Sequence, residues 1–346
     1  MKNKFHKDFK LNNKSFSTVL DLLNFSESIS AETYQFLNEW YSNENFIIVK
    51  TSGSTGVPKS IKLKKEFVVN SALATGKYFK LTHKTTALLC LPIEYIAGKM
   101  MLIRALTLGW HLDVVNSNSS PLKENTNFYD FSAMVPLQVE NSIDKLTQIK
   151  KLIVGGGVVS GLLQEKLRNI STEIFATYGM TETITHIAVK KLNNYNFKPS
   201  FFEVLPGVII YKDKRNCLVI KASNVSDEII YTNDIVQLIS GTQFEWLGRF
   251  DNVINSGGIK LNPEKIEEKL SKIINSRFFV AGIPDSILGE KLILVVEGEK
   301  KKYHFSELIS LQKFEIPKKV FFVDEFVETE TKKIQRNKTL EKIFTN

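Results

Sequence analysis

The sequence has only two cysteines in 346 residues, Cys90 and Cys217, and each lies in a short apolar run of the kind that forms strands. A scaffold held together by disulfides needs several cysteines, so that class of protein is excluded. We expect both thiols to be buried core residues in a reducing compartment, with no part in catalysis.

The sequence also lacks any long apolar segment. No stretch approaches the ~20 apolar residues of a membrane span. The basic start, MKNKFHKDFKLNNKSF, contains no continuous apolar core of the kind that a secretory signal needs. Low-complexity tracts and internal repeats are missing, and hydrophobic residues make up 43% of the chain. We therefore predict an ordered cytoplasmic protein without a membrane span.

Positive charge is in excess but is not concentrated. The formal net charge is +9, with 28 basic and 22 acidic residues in 1–248 and 18 basic and 15 acidic residues in 249–346. Nucleic-acid binding needs a basic patch or tail, so no nucleic-acid partner is expected. The spread-out excess instead favours attraction of small anions. Length suggests two domains, and the sequence leaves the choice between a monomer and a homodimer open.

Strand and helix patterns alternate through the first half of the chain. Strand-like runs occur at FIIVK (46–50) and SIKLK (60–64), a helix is predicted over 66–79, and the alternation continues to about residue 179. Residues 201–248 hold short strand-like runs without helices, typical of antiparallel strands or a small barrel. The predicted fold class is α/β, with a large layered α/β N-terminal domain that includes a small β-rich portion.

The pattern changes again after GRFDNVINSGG, which begins at residue 248. An amphipathic helix (NPEKIEEKLSKI), two strands (around SRFFVAGI and KLILVVEG), a helix near 305–312 and a last strand (KKVFFVD) indicate a compact α+β unit. We place the boundary at Arg249 to Asp251. This gives an N-terminal domain of residues 1–248 and a small α+β C-terminal domain of residues 249–346.

A loop rich in Gly, Ser and Thr follows the first strand-like run. In TSGSTGVPKS (51–60), glycines let backbone N–H groups converge on a phosphate, while hydroxyls and one ammonium add donors and charge. A Walker A loop reads G-x-x-x-x-G-K-[ST] and runs into a helix, whereas here Pro58 intervenes and a strand pattern follows. The loop therefore predicts phosphate binding outside the P-loop fold. The candidate ligands are Thr51, Ser52, Gly53, Ser54, Thr55, Gly56 and Lys59.

Five stretches, in order along the chain, resemble motifs of the adenylate-forming, or AMP-binding, superfamily that includes the acyl-CoA synthetases. They are TSGSTGVPK (51–59) for the phosphate loop, YGMTET (178–183) for the aromatic-Gly-x-Thr-Glu motif, YTND (231–234) for Thr-Gly-Asp, GRFDNVINSGGIKLNPEKIE (248–267) for the hinge segment and ETETKKIQR (328–336) for the C-terminal lysine motif. The resemblance implies that the chain activates a carboxylate with ATP as an acyl-adenylate, and then transfers the acyl group to coenzyme A.

The resemblance also assigns nucleotide contacts. Tyr178 would stack on adenine, Asp234 and Arg249 would hold the ribose, and Glu182 would hold Mg²⁺. Asn233 stands where the motif has Gly, and Asn tolerates a left-handed backbone. Besides the phosphate-loop residues, the implied ATP-binding residues are Gly155, Gly156, Gly157, Tyr178, Gly179, Asp234 and Arg249.

Two residues would act on the reacting phosphate. Thr181 would donate to the α-phosphate, and Lys333 would stabilise the charge that develops on it. Lys332 stands where the family often has Gly, and register with Ile334 and Arg336 favours Lys333 as the matching position.

The hinge position of the family matches Asp251. The resemblance implies that the C-terminal domain is mobile and turns about this residue between adenylate formation and thioester formation. Gly257, Gly258 and Lys260 would then line the surface that receives coenzyme A.

The acyl substrate is indicated by LPIEYIAGKMMLIRAL (91–106). This stretch resembles one in the o-succinylbenzoate–CoA ligases of menaquinone biosynthesis, which reads L-P-x-x-H-x-x-G and carries an arginine that Arg104 matches. The resemblance implies a small-molecule dicarboxylate, whose second carboxylate suits the fork of a guanidinium. Tyr95 stands where the family has His. Thr185 and His186 would be further acyl-pocket residues.

Other interpretations remain open at this point. The substrate could be another small aryl or short-chain acid, and the acceptor could be a carrier protein. A nucleotide-binding module without turnover is a third possibility, since only about 50 residues precede the phosphate loop, over 100 fewer than in typical members. Arg104 could be a surface helix charge, His186 a satisfied core histidine, Gly155 to Gly157 a simple turn and Lys333 a solvated lysine.

Overall fold

Helices and strands alternate along the chain in the computed structural model, which describes residues 5–50, 60–195, 201–305, 308–329 and 333–345. The α-helices are α1 (Val19–Glu27), α2 (Ala31–Tyr41), α3 (Lys65–Phe79), α4 (Ile96–Leu108), α5 (Pro136–Asn141), α6 (Gly161–Leu167), α7 (Pro263–Leu270) and α8 (Arg336–Thr345). The strands are β1 (Lys10–Leu11), β2 (Phe46–Lys50), β3 (Ser60–Lys64), β4 (Thr86–Leu89), β5 (His111–Val114), β6 (Tyr129–Met134), β7 (Ile149–Val154), β8 (Glu173–Gly179), β9 (His186–Lys191), β10 (Phe202–Val204), β11 (Ile209–Lys212), β12 (Cys217–Lys221), β13 (Ile230–Leu238), β14 (Gln243–Arg249), β15 (Ile254–Ser256), β16 (Ile259–Leu261), β17 (Phe278–Asp285), β18 (Gly289–Glu297) and β19 (Lys319–Val323).

Most strands join one large sheet, whose order in the described part of the chain is β1-β5-β4-β6-β7-β8-β9-β10-β14-β13-β12-β11. The pairs from β1 to β8 are parallel, and every pair from β8–β9 onward is antiparallel. The short strands of residues 201–248 therefore extend the same sheet. Strands β2 and β3 form a separate antiparallel pair in which Lys50 lies opposite Ser60.

Two helical layers cover the parallel half of the large sheet because successive strand residues point to opposite faces. On β4, Ala87 and Leu89 pack into the cluster that contains the buried residues of α3 and α4. Leu88 and Cys90 pack into the cluster of α5 and α6 on the other face. The predicted layered α/β architecture is confirmed, and Cys90 and Cys217 are both buried, as expected.

Local sequence explains where the first helices begin. Thr18 caps α1 through a capping box, in which its hydroxyl accepts the N–H of Asp21 (3.1 Å) and the Asp21 carboxylate accepts the N–H of Thr18 (3.0 Å). Ser30 caps α2 by accepting the N–H of Thr33 (3.1 Å). In the part of the chain that is described, no helix is long and apolar enough to cross a bilayer.

Residues beyond β14 form a second, smaller sheet of order β16-β15-β18-β17, with β19 beside β18. Val280 of β17 packs into a core with α7, and its neighbour Phe279 packs on the opposite face with α8. The helix expected near 305–312 is wrong for residues 308–312, which form turns and irregular backbone. Leu308 and Leu311 still pack against the small core, so their apolar spacing reflects burial and not a helix.

The small sheet contacts the large one through α7. The Lys265 ammonium lies 2.5 Å from a Glu245 carboxylate oxygen on β14, and Asn252 donates to Glu264 at 2.5 Å. A Cβ added to Gly248 would lie 2.4 Å from the other Glu264 oxygen, so close approach of α7 to β14 requires glycine there. The connection between the sheets is a short 3-10 helix, Phe250–Asn252.

Candidate active site

The carboxyl ends of the parallel strands β7 and β8 carry two of the predicted motifs side by side. Gly155 follows β7 directly, and an added Cβ would lie 2.6 Å from the Thr177 hydroxyl on β8. Gly156 has φ of +78°, which favours glycine. Packing and backbone conformation thus explain these two glycines, and contact of Gly155 to Gly157 with an adenine edge stays a prediction.

Asp234 on β13 is the charged centre of the predicted nucleotide site. Its side chain is almost fully buried and accepts hydrogen bonds from the Tyr178 hydroxyl (2.7 Å) and the Trp246 indole N–H (3.1 Å). One Arg249 guanidinium nitrogen lies 3.8 Å from the same carboxylate. The fold thus brings together Tyr178 near the end of β8, Asp234 in the middle of β13 and Arg249 at the end of β14, all three predicted from sequence.

Trp246 was missed by sequence reasoning. Its partner Val236 lies two residues beyond Asp234 on β13, across a register shift, so no sequence spacing marks the contact. The alternation of FEWLG could have indicated a strand with an inward tryptophan, but not its acceptor.

Tyr178 is held in a fixed orientation. Its ring packs edge-on against Phe244, with 5.0 Å between ring centroids, and lies 5.9 Å from Phe202. Burial and the neighbouring Asp234 charge raise the pKa of Tyr178 well above its usual value, so the phenol remains a neutral donor. Stacking on adenine would use a ring whose hydroxyl is already engaged, and it stays a prediction.

The predicted hinge residue Asp251 is bonded to the same network. It accepts hydrogen bonds from Arg249 (3.2 Å) and from the Asn233 amide (3.2 Å). Arg215, which sequence reasoning missed, donates to the Asn233 oxygen at 2.8 Å, and its guanidinium lies 5.3 Å from the Phe250 ring centroid. The residues expected at the ribose and at the hinge therefore share one set of charged contacts.

The expectation that Asn233 serves as a residue tolerant of a left-handed backbone is wrong. Asn233 lies inside β13 and does not have a positive φ, so left-handed tolerance is not what this position uses. Its side-chain amide instead bridges Arg215 and Asp251, which a glycine could not do.

The turn after β8 holds the residues expected at the α-phosphate and the metal. Thr181 is half-buried and Glu182 is exposed within a short 3-10 helix, Thr181–Thr183, beside β3. Among the described residues no cluster of three or more His, Cys, Asp or Glu could hold a metal. A single exposed carboxylate fits Mg²⁺, because this ion is held in nucleotide sites mostly by phosphate oxygens and water.

Arg104 is buried inside the large domain, which rules out the surface-charge interpretation. Only 1% of the residue is exposed. Its Nε donates to the Thr75 hydroxyl (3.3 Å), one terminal nitrogen to the Met101 sulfur (3.6 Å) and the other to the Thr185 hydroxyl (3.4 Å). None of the ion pairs among described residues involves it, and burial lowers its pKa to about 9. A buried cation without a carboxylate partner is poised for an anionic ligand.

His186 lies next to this arginine and is not a satisfied core histidine. Its Nδ1 is 3.4 Å from the Thr185 hydroxyl, whereas its Nε2 is buried without a hydrogen-bond partner in the described structure. The ring lines a cavity of about 320 Å³ together with residues of α3 such as Lys77 and Tyr78. Burial, and then the Arg104 charge, lower the pKa of His186 to about 3.

The remaining predicted residues lie in other parts of the chain. Tyr95 precedes the first turn of α4, the helix that carries Arg104. Gly257 and Gly258 form the β15–β16 turn with φ of +59° and +80°, a hairpin geometry that explains both glycines, and Lys260 follows on β16. The backbone N–H of Lys333 donates to the Thr329 hydroxyl (3.1 Å), and Glu328 and Ile334 form an antiparallel bridge before α8. Roles in coenzyme A binding and catalysis stay predictions for these residues.

The predicted phosphate-loop residues lie outside the described residues. They are Thr51, Ser52, Gly53, Ser54, Thr55, Gly56 and Lys59.

Protonation of His186 provides a test of the buried cluster. We expect the His186 ring to stay neutral between about pH 5 and pH 8, because its folded pKa lies far below that of a free histidine. The unfolded chain takes up this proton below about pH 6.5, so the contribution of His186 to stability falls as pH falls toward 3. Ring NMR across a pH titration measures the protonation. In Arg104→Met the pKa should rise, and titration of wild-type His186 near pH 6.5 would contradict the arrangement.

The chain is similar to proteins of a known family. A family model described as AMP-binding enzyme matches residues 6–211. A 2-succinylbenzoate–CoA ligase from Lactococcus lactis subsp. lactis is 24% identical over 344 residues, covering 92% of this chain and 76% of that protein. Similar ligases from Staphylococcus aureus strains are covered to 66% of their length.

Two solved structures extend the comparison. The AMP-forming acyl-CoA synthetase/AMP-acid ligase II-like protein from Dyadobacter fermentans is 35% identical with a TM-score of 0.60, covering 90% of this chain and 94% of that one. The o-succinylbenzoate coenzyme A synthetase from Bacillus subtilis, in complex with ATP and magnesium ion, is 19% identical with a TM-score of 0.75, covering 95% and 83% of the two chains. Because the family model matches more than half of the chain, the protein belongs to the AMP-binding enzyme family.

Proposed function

We propose that the protein is an AMP-forming acid–CoA ligase that converts o-succinylbenzoate to its coenzyme A thioester in menaquinone biosynthesis. The observation that carries the choice of acid is Arg104, a buried guanidinium with no ion-pair partner among the described carboxylates. An acid with a second carboxylate would supply that partner, whereas a monocarboxylate would leave the charge buried and unpaired. Similarity to ligases named for 2-succinylbenzoate supports the same choice.

The first step would join the acid to the nucleotide. One carboxylate oxygen of the acid attacks the α-phosphorus of ATP, a new P–O bond forms, and the bond to pyrophosphate breaks. Asp234 would accept hydrogen bonds from the ribose hydroxyls, and Tyr178 and Trp246 fix its carboxylate beforehand. A site whose groups are already held in place spends little energy on reorganisation during the reaction.

Stabilisation of charge at the α-phosphate would fall to Thr181 and Lys333. Mg²⁺ at Glu182 would neutralise phosphate charge when bound. Thr181 begins the turn that follows β8, the strand that carries Tyr178. Lys333 belongs to the unit beyond Arg249, so its approach depends on how that unit is oriented.

The second step would exchange AMP for a thiol. The sulfur of coenzyme A attacks the acyl carbon, its proton leaves, and the bond to AMP breaks. We propose that residues 249–346 turn about Asp251 between the two steps and present Gly257, Gly258 and Lys260 to coenzyme A. The contacts of Asp251 with Arg249 and Asn233 would hold one of the two orientations. We place the reaction in the cytoplasm, where ATP and coenzyme A are available.

Product analysis tests the function directly. The purified protein is incubated with MgATP, coenzyme A and either o-succinylbenzoate, benzoate, succinate or a short fatty acid, and the thioesters are detected by mass spectrometry. We expect a thioester from o-succinylbenzoate in excess over all the others. Product from a different acid would support the ligase activity and contradict the proposed substrate. ATP binding with no product from any acid, whether the acceptor is coenzyme A or a carrier protein, would favour a non-catalytic module.

Replacement of Lys333 should separate the two half-reactions. Lys333→Ala should lower the rate of adenylate formation by at least about a hundredfold, because a cation is lost where charge develops. Conversion of supplied acyl-adenylate to thioester should change little. Lys338→Ala, which removes an exposed lysine of α8 nearby, is the matched control. Equal loss of both half-reactions in Lys333→Ala would contradict its role.

Replacement of Arg104 should act on the second carboxylate. Arg104→Lys keeps a cation but loses the two-pronged geometry, so kcat/KM for o-succinylbenzoate should fall by about tenfold or more. The comparison substrate is 3-benzoylpropionate, which lacks the ring carboxylate, and its much lower kcat/KM in the wild type should change little. An equal fall for both acids, at an unchanged KM for ATP, would show that Arg104 does not recognise the second carboxylate.

A further inference from the structure

The chain makes an unusual turn at Ile184, between the residues expected at the phosphate and those beside Arg104. Ile184 has φ of +65° and ψ of −61°, and the Thr185 N–H donates to the Thr183 carbonyl at 2.7 Å. These values describe a γ-turn with positive φ, a rare and strained conformation. For a β-branched side chain the strain is greater still, because positive φ is unfavourable for such residues.

Strain of this kind persists only where the surroundings hold it. The Thr183 side chain is fully buried, and its hydroxyl accepts the Met180 N–H at 3.0 Å. The same hydroxyl lies 2.9 Å from the Met180 carbonyl and 2.7 Å from the Thr185 carbonyl, so it can donate to either one. The Thr183 hydroxyl therefore links Met180, which precedes the turn, to Thr185 at the end of the turn.

Two further contacts close the turn from outside. A Cβ on Gly179 would lie 2.2 Å from the Thr185 carbonyl oxygen and 2.6 Å from the His186 Cα. The backbone of Gly179 therefore packs directly against the backbone of Thr185 and His186. Ile184 is fully buried in the large hydrophobic core. The turn is thus held by a hydroxyl, a glycine contact and an anchored side chain.

The direction of the chain after this turn decides where two side chains of the acyl site lie. The Thr185 hydroxyl accepts from Arg104 at 3.4 Å and lies 3.4 Å from Nδ1 of His186. If the turn relaxed to negative φ, Thr185 would leave Arg104 with fewer partners. Thr181 and Glu182 precede the turn and do not depend on its closing bond.

We propose that Thr183 is a positioning residue for the acid substrate: its hydroxyl braces the γ-turn at Ile184, and this turn holds Thr185 and His186 against Arg104. Thr183 would contact neither substrate. The proposal rests on the proposed function, since it assigns acid recognition to Arg104. It adds that the affinity for the acid depends on one hydroxyl that sequence comparison with the motif would treat as a spacer.

The experiment compares Thr183→Val, which keeps the shape and removes the hydroxyl, with Thr183→Ser, which keeps the hydroxyl. We expect Thr183→Val to raise the KM for the acid by about tenfold, because a buried hydrogen-bonding group is lost. The KM for ATP should rise less than the KM for the acid, because the Thr181–Thr183 turn keeps its backbone hydrogen bond from the Thr183 N–H to the Met180 carbonyl (3.1 Å). Thr183→Ser should resemble the wild type in both constants, a rescue that a purely steric role would not produce.

A second measurement does not need turnover. Ring NMR of His186 should show displaced resonances in Thr183→Val and wild-type resonances in Thr183→Ser. If Thr183→Val does not fold, Thr183→Cys replaces it, because the thiol keeps most of the volume and donates only weakly; its effects should have the same direction and smaller size.

The outcomes separate this proposal from the proposed function. If the wild-type protein activates none of the tested acids, the proposed function is wrong. The His186 resonances alone would then test whether the Thr183 hydroxyl holds the turn. The wild type could be active with o-succinylbenzoate while Thr183→Val leaves the acid KM and the His186 resonances unchanged. That result would contradict the positioning role of Thr183 and leave the proposed function supported. A parallel rise of both KM values would also contradict that role, because the hydroxyl would then support the whole motif.

Discussion

The need to compensate buried charge governs the site. Asp234 is almost fully buried and meets this need within the protein, through the Tyr178 hydroxyl, the Trp246 indole and the nearby Arg249. Arg104 is buried still more deeply, and its hydrogen-bond partners among the described residues are two hydroxyls and a sulfur. One charge is therefore already satisfied and the other needs an anion. This difference separates a preorganised carboxylate, which we propose binds the ribose, from a cation that would select the acid.

Each charge has a hydrogen-bond partner at one feature of the large sheet, the seam at which parallel pairing gives way to antiparallel pairing. Strand β8 ends the parallel part, β9 runs back beside it, and residues 180–185 make the connection. Tyr178 lies at one end of this connection and His186 at the other. The strained turn at Ile184 lies within it, so one short segment joins the proposed nucleotide side of the site to the proposed acyl side.

The edge of the large sheet is linked to the small one by charge as well as by packing. Arg249 lies between Asp234 and Asp251, and Asn233 and Arg215 extend the contacts toward Phe250. A ligand that competes for Arg249 would therefore disturb the contacts of the proposed hinge. Such a shared cation offers a direct physical link between occupancy of the site and orientation of the small unit.

The sequence by itself determined the layered α/β class, the change in the pattern of strands and helices after residue 248 and the order of the motifs. Strand and helix periodicity and glycine-rich turns are local properties of the chain. Through its resemblance to family motifs it also indicated Asp234, Tyr178 and Arg104 as site residues. Only the tertiary structure decided that Trp246 donates to Asp234, that Asn233 bridges Arg215 to Asp251 and that Arg104 is buried with no carboxylate partner among the described residues. Those contacts depend on strand register and on packing between segments far apart in the chain, and no spacing in the sequence encodes them. The helix predicted near 305–312 is wrong for residues 308–312 for a related reason. Apolar spacing indicates burial, whereas the surrounding packing decides the backbone conformation.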